Sequence, residues 1–382
     1  MAVGIVAEYN PFHNGHKYQI DEIKKLNKEV VAIMSSSFVQ RGEPAIFSKF
    51  ERARLALLNG CDLVLELPCQ YATGSADVFG KNAIELLSRS GIVEAVCFGV
   101  EAESEGERDQ LLRLARLFEN ETAEFKEALK NALDEGCSYP RARQRAAETV
   151  MGTGLEGLFM PNNILAVEYL RNMERLSLKP LFITRKENEY LQDSLSGEIS
   201  SATAIRKAIF EKNFEGVKKA LPNGYEDLSV KDSVSIEDYA DILRYLLKTL
   251  SADELSQIAD ITEGLENRIL RCSDFENLNE LFDNLKTKRY TRTKLQRAII
   301  HIILGITKQM QEKSPEYIRV LGFRKEKEYL LGEMAKKASL PVITNAKNYP
   351  DLLKQEAKAT DIYNIFLSKK SGEDFTTPII VV

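Results

Sequence analysis

Two of the chain's three histidines stand in one short segment, Asn10-Pro11-Phe12-His13-Asn14-Gly15-His16. An apolar run, Val3–Ala7, precedes it and a helix-like stretch, Lys17–Leu26, follows. Strand, tight Pro/Gly turn and helix start together bring both imidazoles to a helix N-terminus. Backbone N–H groups without helical partners and the helix dipole favour bound phosphate there. An imidazole in that place can hydrogen-bond a phosphoryl oxygen and, when protonated, opposes the charge of a departing pyrophosphate. Two plainer readings compete: a solvated loop, or half of a metal site. A closed zinc site needs four ligands. The remaining histidine is the distant His301 and no cysteines form a Cys-x-x-Cys pair, so no metal is expected.

A second segment, Glu198-Ile199-Ser200-Ser201-Ala202-Thr203-Ala204-Ile205-Arg206, gathers three hydroxyls and a guanidinium at a helix start. Ser200 or Ser201 suits the N-cap. The group could hold a second anion through charge-assisted bonds, or be no more than a capped helix with a surface arginine.

The elements that must position these residues follow from periodicity. Continuous apolar runs at Val3–Ala7, Val30–Met34, Leu63–Leu67, Ala95–Phe98 and Leu181–Thr184 read as strands of a parallel sheet buried on both faces. Helix-like stretches separate them, at 17–26, 49–59, 79–88, 109–118, 123–135, 141–151 and 163–173. The expected fold is α/β, a doubly wound parallel-sheet domain followed by a smaller, mainly helical domain. Ligands of such sheets sit at the carboxyl ends of strands, where the first histidine segment lies. The texture turns helical near Asp227, which places the division at 1–225 and 226–382, by the Pro222-Asn223-Gly224 turn.

A chain of 382 residues with 44% hydrophobic and 29% charged residues is an ordinary globular one. The absence of a signal-like or membrane-spanning run and five scattered cysteines point to a cytoplasmic, reduced protein without membrane contact. A net charge of −5 argues against a uniformly basic nucleic-acid binder. Locally, however, residues 284–300 carry six basic residues (Lys286, Lys288, Arg289, Arg292, Lys294, Arg297) and no acidic one. Such a run is ordinarily a solvated helix face.

The pairing of His13-Asn14-Gly15-His16 with Ile199–Arg206 resembles the nucleotidyltransferase superfamily with a His-x-Gly-His signature. A Lys-Met-Ser-Lys-Ser-like loop is missing, unlike in aminoacyl-tRNA synthetases. More narrowly, Glu8–His16, Phe38–Pro44, Asp62–Pro68, Cys97–Gly99, Pro161–Leu165, Gly264–Arg268 and Lys286–Thr291 resemble the bacterial tRNA(Met) cytidine acetate ligase family across most of the chain. One departure is visible. The family's Arg-x-Gly-Ala-x-Tyr-His-Asp stretch reads Arg185-Lys186-Glu187-Asn188-Glu189-Tyr190-Leu191-Gln192-Asp193, so no role rests on the missing histidine.

The resemblance implies ATP with Mg2+ as co-substrate, acetate, and the anticodon loop of elongator tRNA(Met); it implies no obligate protein partner. Acetate attacks the α-phosphate to give acetyl-adenylate, and the acetyl group then passes to N4 of the wobble cytidine. His13, His16, Ser201 and Arg206 are expected to be catalytic. Ala7, Asn10, Phe12, Gly15, Ile20, Gly99, Asn162, Arg185, Ser200 and Thr203 are expected to hold the nucleotide. Lys286, Lys288, Arg289 and Arg292 form the expected RNA track, with Tyr290 as a stacking platform. Gln40, Arg41 and Lys49 could serve acetate, ATP or local ion pairs. Two alternatives remain at this point: adenylyl transfer to a small phosphorylated metabolite, and a non-catalytic RNA-binding protein.

Overall fold

The apolar runs form strands where their pattern places them, in a computed structural model that describes residues 2–184, 201–211, 213, 217–226, 232–262 and 264–382. The strands β1 (Ala2–Ala7) and β2 (Val30–Ser35) are followed by a short hairpin of β3 (Phe38–Val39) and β4 (Glu43–Pro44). Next come β5 (Leu63–Leu67), β6 (Val93–Val100) and β7 (Lys179–Thr184). Interleaved with them are α1 (Asn14–Lys25), α2 (Lys49–Leu58), α3 (Cys69–Ala72), α4 (Ala76–Arg89), α5 (Glu105–Glu119), α6 (Ala123–Asp134), α7 (Tyr139–Met151) and α8 (Pro161–Met173). β5-β2-β1-β6-β7 run parallel in that order.

Helices cover both faces because alternate residues of each strand are apolar on both sides. Val31 and Ile33 share a core with Phe79, Ala83 and Leu87 of α4. Val30, Ala32 and Met34 share the opposite one with Ile20 and Ile23 of α1 and Leu55 of α2. Each fully buried Val, Leu, Ile, Phe or Met side chain among these contributes about 1.5–3 kcal/mol.

Beyond α9 (Ala202–Phe210) the chain builds a helical cluster. It consists of α10 (Ala240–Thr249), α11 (Ala252–Gln257), α12 (Leu265–Arg271), α13 (Leu278–Leu285), α14 (Arg292–Leu304) and α15 (Lys308–Glu312). Leu243, Leu247, Leu281, Phe282, Leu295 and Ile299 form its own core, which also takes in Phe38 of β3. Gly42, at the hairpin tip, has φ +75°, and a Cβ there would lie 2.3 Å from the backbone N of Arg297 in α14. The hairpin is therefore pressed directly against the helix that carries the second half of the basic run.

The expected division at residue 225 needs correcting for the last part of the chain. β8 (Ile318–Phe323) returns to the sheet, antiparallel to β5, and it carries β9 (Val342–Ile343) and β10 (Ile380–Val381). Among the described residues this makes an eight-stranded sheet. A strand with Arg319 at its second position can be buried because its charge is met inside. Arg319 Nη1 lies 2.9 Å from Glu66 Oε2 of β5 and also pairs with Asp374. Lys49 Nζ lies 2.6 Å from Glu66 Oε1 and 2.7 Å from Asp374 Oδ1. Lys49 thus belongs to a local ion network. After α16 (Tyr329–Lys337), α17 (Lys354–Asn364) adds Glu356, and α18 (Glu373–Thr376) supplies Asp374.

Glu356 is fully buried beside that two-cation, two-anion network, and accepts bonds from Ser36 Oγ at 2.6 Å and Cys69 N at 2.7 Å. Burial, reinforced by Glu66, pushes its carboxyl up to about 7. A raised carboxyl stabilises the fold at low pH and loses that contribution as pH climbs toward the folded-state value. Glu356→Gln should therefore melt above the parent at pH 8 and level with it near pH 5; a constant offset at both would contradict this account.

Candidate active site

The first histidine segment leaves the carboxyl end of β1 and is anchored from below. Tyr9 (φ +48°) and Phe12 turn fully buried rings into the core, 4.8 Å apart edge to face. His16 packs on both, at 5.0 Å and 5.7 Å. His13 is the N-cap of α1, and its Nδ1 accepts the Gly15 N–H at 3.1 Å. His16 Nδ1 accepts the His13 N–H at 3.2 Å, closing a reciprocal capping box made of two histidines. The rings stack 3.8 Å apart. Because each Nδ1 accepts from backbone, the proton of each neutral ring resides on Nε2, which is then a hydrogen-bond donor.

The second motif closes onto this turn. Ser201, not Ser200, caps α9, its Oγ accepting from Ala204 N at 3.1 Å. Arg206 Nη1 donates to Asn10 O at 2.7 Å, Nη2 reaches Thr203 Oγ1 at 3.5 Å, and the guanidinium pairs with Glu43 at 3.4 Å. Asn14 Nδ2 donates to Lys219 O, and Tyr225 Oη donates to Phe12 O. His13, His16, Ser201, Thr203 and Arg206 are thus brought to one place from two segments far apart in sequence.

Other expected nucleotide residues divide by location. Ala7 and Gly99 lie at the carboxyl ends of the neighbouring strands β1 and β6, where Ile5 pairs with Cys97. Gly15 lies in the first turn of α1. Asn10 is buried, its Oδ1 accepting from Ile46 N at 2.7 Å, so its amide serves the loop's own geometry. Asn162 Nδ2 donates to Glu101, which also accepts from Asn163 N at 3.1 Å, at the start of α8 beyond β6. Arg185 and Ser200 lie outside the described residues.

Three expectations are corrected. Ile20 faces inward on α1 with no exposure, and Phe12 is equally buried, so neither side chain reaches a nucleotide. Tyr290 packs into the helical core and its hydroxyl donates to Thr262 O at 3.3 Å, which removes it as a stacking platform. Lys286, Lys288, Arg289 and Arg292 are exposed, with Arg292 lying 4.6 Å over the Phe282 ring.

Sequence reasoning gave no role to Arg52 or to the Glu8 carboxylate, which brace the site. Arg52 is fully buried and donates to Glu8 O at 2.5 Å, Phe47 O at 3.0 Å and Ser36 O. It fixes the first turn beyond β1 against the end of β2, and burial lowers its guanidinium to about 10. Glu8 accepts the Gln40 N–H at 2.7 Å, and Gln40 Nε2 donates to Gly74 O at 3.3 Å. Such partners are set by topology and leave no spacing signal.

A helix N-terminus lined with imidazole, hydroxyl and guanidinium groups can receive an anion. It suits a triphosphate undergoing displacement at phosphorus, where catalysis consists largely of positioning and charge stabilisation. No helix among the described residues is long and apolar enough to cross a membrane. The HIGH Nucleotidyl Transferase family model matches residues 1–377. The tRNA(Met) cytidine acetate ligase of Thermoanaerobacter sp. (strain X514) is 39% identical over 401 residues, with 99% of each chain covered. That of Oceanobacillus iheyensis is 38% identical over 384 residues, covering 96% of this chain and 95% of the relative. The solved structure of Thermotoga maritima TmcAL bound with alpha-thio ATP matches with a TM-score of 0.90 at 31% identity, over the whole of both chains. The apo structure of the same protein gives 0.91 at 32%, again over the whole of both. This chain belongs to the HIGH nucleotidyl transferase family and, within it, to the tRNA(Met) cytidine acetate ligases.

Proposed function

We propose that the protein is an ATP-dependent ligase that activates acetate as acetyl-adenylate and then acetylates N4 of the wobble cytidine of elongator tRNA(Met). The observation that carries the first half is the joining of the two motifs: the His13/His16 cap and the Arg206 helix meet at Asn10, beside the carboxyl ends of β1 and β6. A carboxylate oxygen attacks the α-phosphorus, the bond to the β-phosphate breaks, and pyrophosphate leaves. The Nε2–H groups of His13 and His16 donate to the phosphates, while Ser200, Ser201, Thr203 and Arg206 receive the pyrophosphate. Ala7, Gly15 and Gly99 let the nucleotide approach backbone, with Asn162 and Arg185 as further contacts, and Mg2+ enters as MgATP. In the second half-reaction the anticodon loop, single-stranded, presents an accessible amine.

Acetate-dependent exchange of labelled pyrophosphate into ATP, with and without tRNA, tests the reading. Exchange with acetate supports it. No exchange with acetate, but transfer to a phosphorylated metabolite, would replace it with a simple adenylyltransferase.

For the tRNA, the support is the exposed cations Lys286, Lys288, Arg289 and Arg292 around the start of α14, the helix against which the hairpin packs. Lys288→Ala with Arg289→Ala should weaken tRNA binding and flatten the slope of log affinity against log salt by about 1–2. Unchanged affinity and slope would remove these residues from the interface. Acetate-dependent exchange should be unaffected.

A further inference from the structure

The acetyl-transfer step requires a proton acceptor, because an amine that becomes an amide must lose one N–H proton. We propose that Glu8 is that acceptor, an inference that rests on the ligase reading. Glu8 directly follows β1, six residues before the start of α1, and its carboxylate feels the charge of Arg206, whose guanidinium binds Asn10 O of the histidine segment. Its carboxylate is held by the Gln40 N–H of the β3–β4 turn at 2.7 Å, and its carbonyl by Arg52 at 2.5 Å. The same hairpin reaches both substrates' sides. Glu43 pairs with Arg206 of the phosphate site, and Gly42 packs against the backbone of α14 at Arg297, the last cation of the basic run. Glu8 is thus tied to the one hairpin that touches both the phosphate-site helix and the helical cluster.

The charge environment suits a base. Burial is the largest influence on Glu8 and raises its affinity for a proton, Glu43 raises it further, and the Gln40 N–H, Arg206 and Arg41 moderate the effect. Arg52 and Tyr169 also sense its charge. A carboxylate whose proton affinity is raised is a stronger base in its ionised form. In the step itself, the N4 lone pair attacks the acetyl carbonyl carbon and a C–N bond forms. The bond from that carbon to the phosphate oxygen breaks with its electron pair, releasing AMP. The N4 proton moves to the Glu8 carboxylate and is returned to solvent before the next turnover.

Glu8→Gln is nearly isosteric and keeps an oxygen acceptor for the Gln40 N–H. In this variant acetate-dependent pyrophosphate exchange should persist within a few-fold. Single-turnover transfer from preformed acetyl-adenylate to tRNA should fall by roughly 10²–10⁴-fold. The decline of the transfer rate toward acid pH, a limb above the ordinary carboxylate range, should vanish in Glu8→Gln and survive in Glu8→Asp. Transfer at the parental rate in Glu8→Gln, or equal loss of exchange and transfer in both variants, overturns the proposal. A parent protein with no acetate-dependent exchange would instead defeat the ligase reading, so the two failures are distinguishable.

Discussion

His16→Ala should lower acetate-dependent pyrophosphate exchange by on the order of 10²–10³-fold while tRNA affinity stays at the parental level. The expectation follows from what each atom of the ring is occupied with. Nδ1 accepts the His13 N–H at 3.2 Å, which leaves the proton of the neutral ring on Nε2. Removing the ring deletes that donor, whose contribution grows as negative charge develops on the transferring phosphoryl group. It also deletes half of the capping box, which costs about 0.5–2 kcal/mol of local stability. His16→Asn separates the two effects. A short amide at this position can still accept from the His13 N–H, so melting should recover while exchange does not. If His16→Ala retained exchange within tenfold, the histidine pair would be a cap and nothing more. If His16→Asn restored exchange together with stability, the loss in His16→Ala would be structural.

That prediction was legible in sequence because the relevant order is local. Strand, turn and helix start lie within Ala2–Lys25, and the polarity of a helix end is known before any tertiary contact is. The five expected parallel strands were legible for the same reason, being apolar on both faces. What stayed hidden depends on partners distant in sequence. Ile318–Phe323 reads poorly as a buried strand because Arg319 interrupts it, and Glu66 and Asp374, which make the interruption tolerable, stand 253 and 55 residues away. Tyr290, aromatic among cations, has the composition of a stacking platform, yet the hydroxyl that binds Thr262 O turns its ring into the core. Ile20 continues the His-x-Gly-His segment in sequence but lies on the inward side of α1. In each case composition and spacing identified the neighbourhood, and the direction of one side chain was decided by packing from another part of the fold.

The same buried ion network yields the largest expected effect on stability. Lys49→Met should destabilise the protein by about 3–5 kcal/mol, because it leaves charge in the interior without its partner. Lys49 and Glu66 have no exposed side-chain surface, and Asp374 has none either, so water cannot take the cation's place. Burial alone would make the Lys49 ammonium easier to deprotonate, but Asp374 and Glu66 overcome it and raise its proton affinity. Asp374 responds in the opposite sense: burial opposes its charge, while Lys49 and Arg319 hold its carboxyl far below the usual carboxylate range. A depressed carboxyl adds stability above its unfolded-state value and loses it as pH falls. Deleting Lys49 should therefore flatten the acid side of the stability profile as well as lower the whole curve. Denaturant unfolding across pH measures both. Because the cost is stranded charge, not lost packing, Lys49→Met combined with Glu66→Gln should recover part of the loss, a coupling that a double-mutant cycle resolves. A Lys49→Met protein within 1 kcal/mol of the parent (roughly the scale of an exposed ion pair) would mean that Arg319 alone satisfies both carboxylates. The anchoring of β8 to the sheet would then rest on its apolar residues instead.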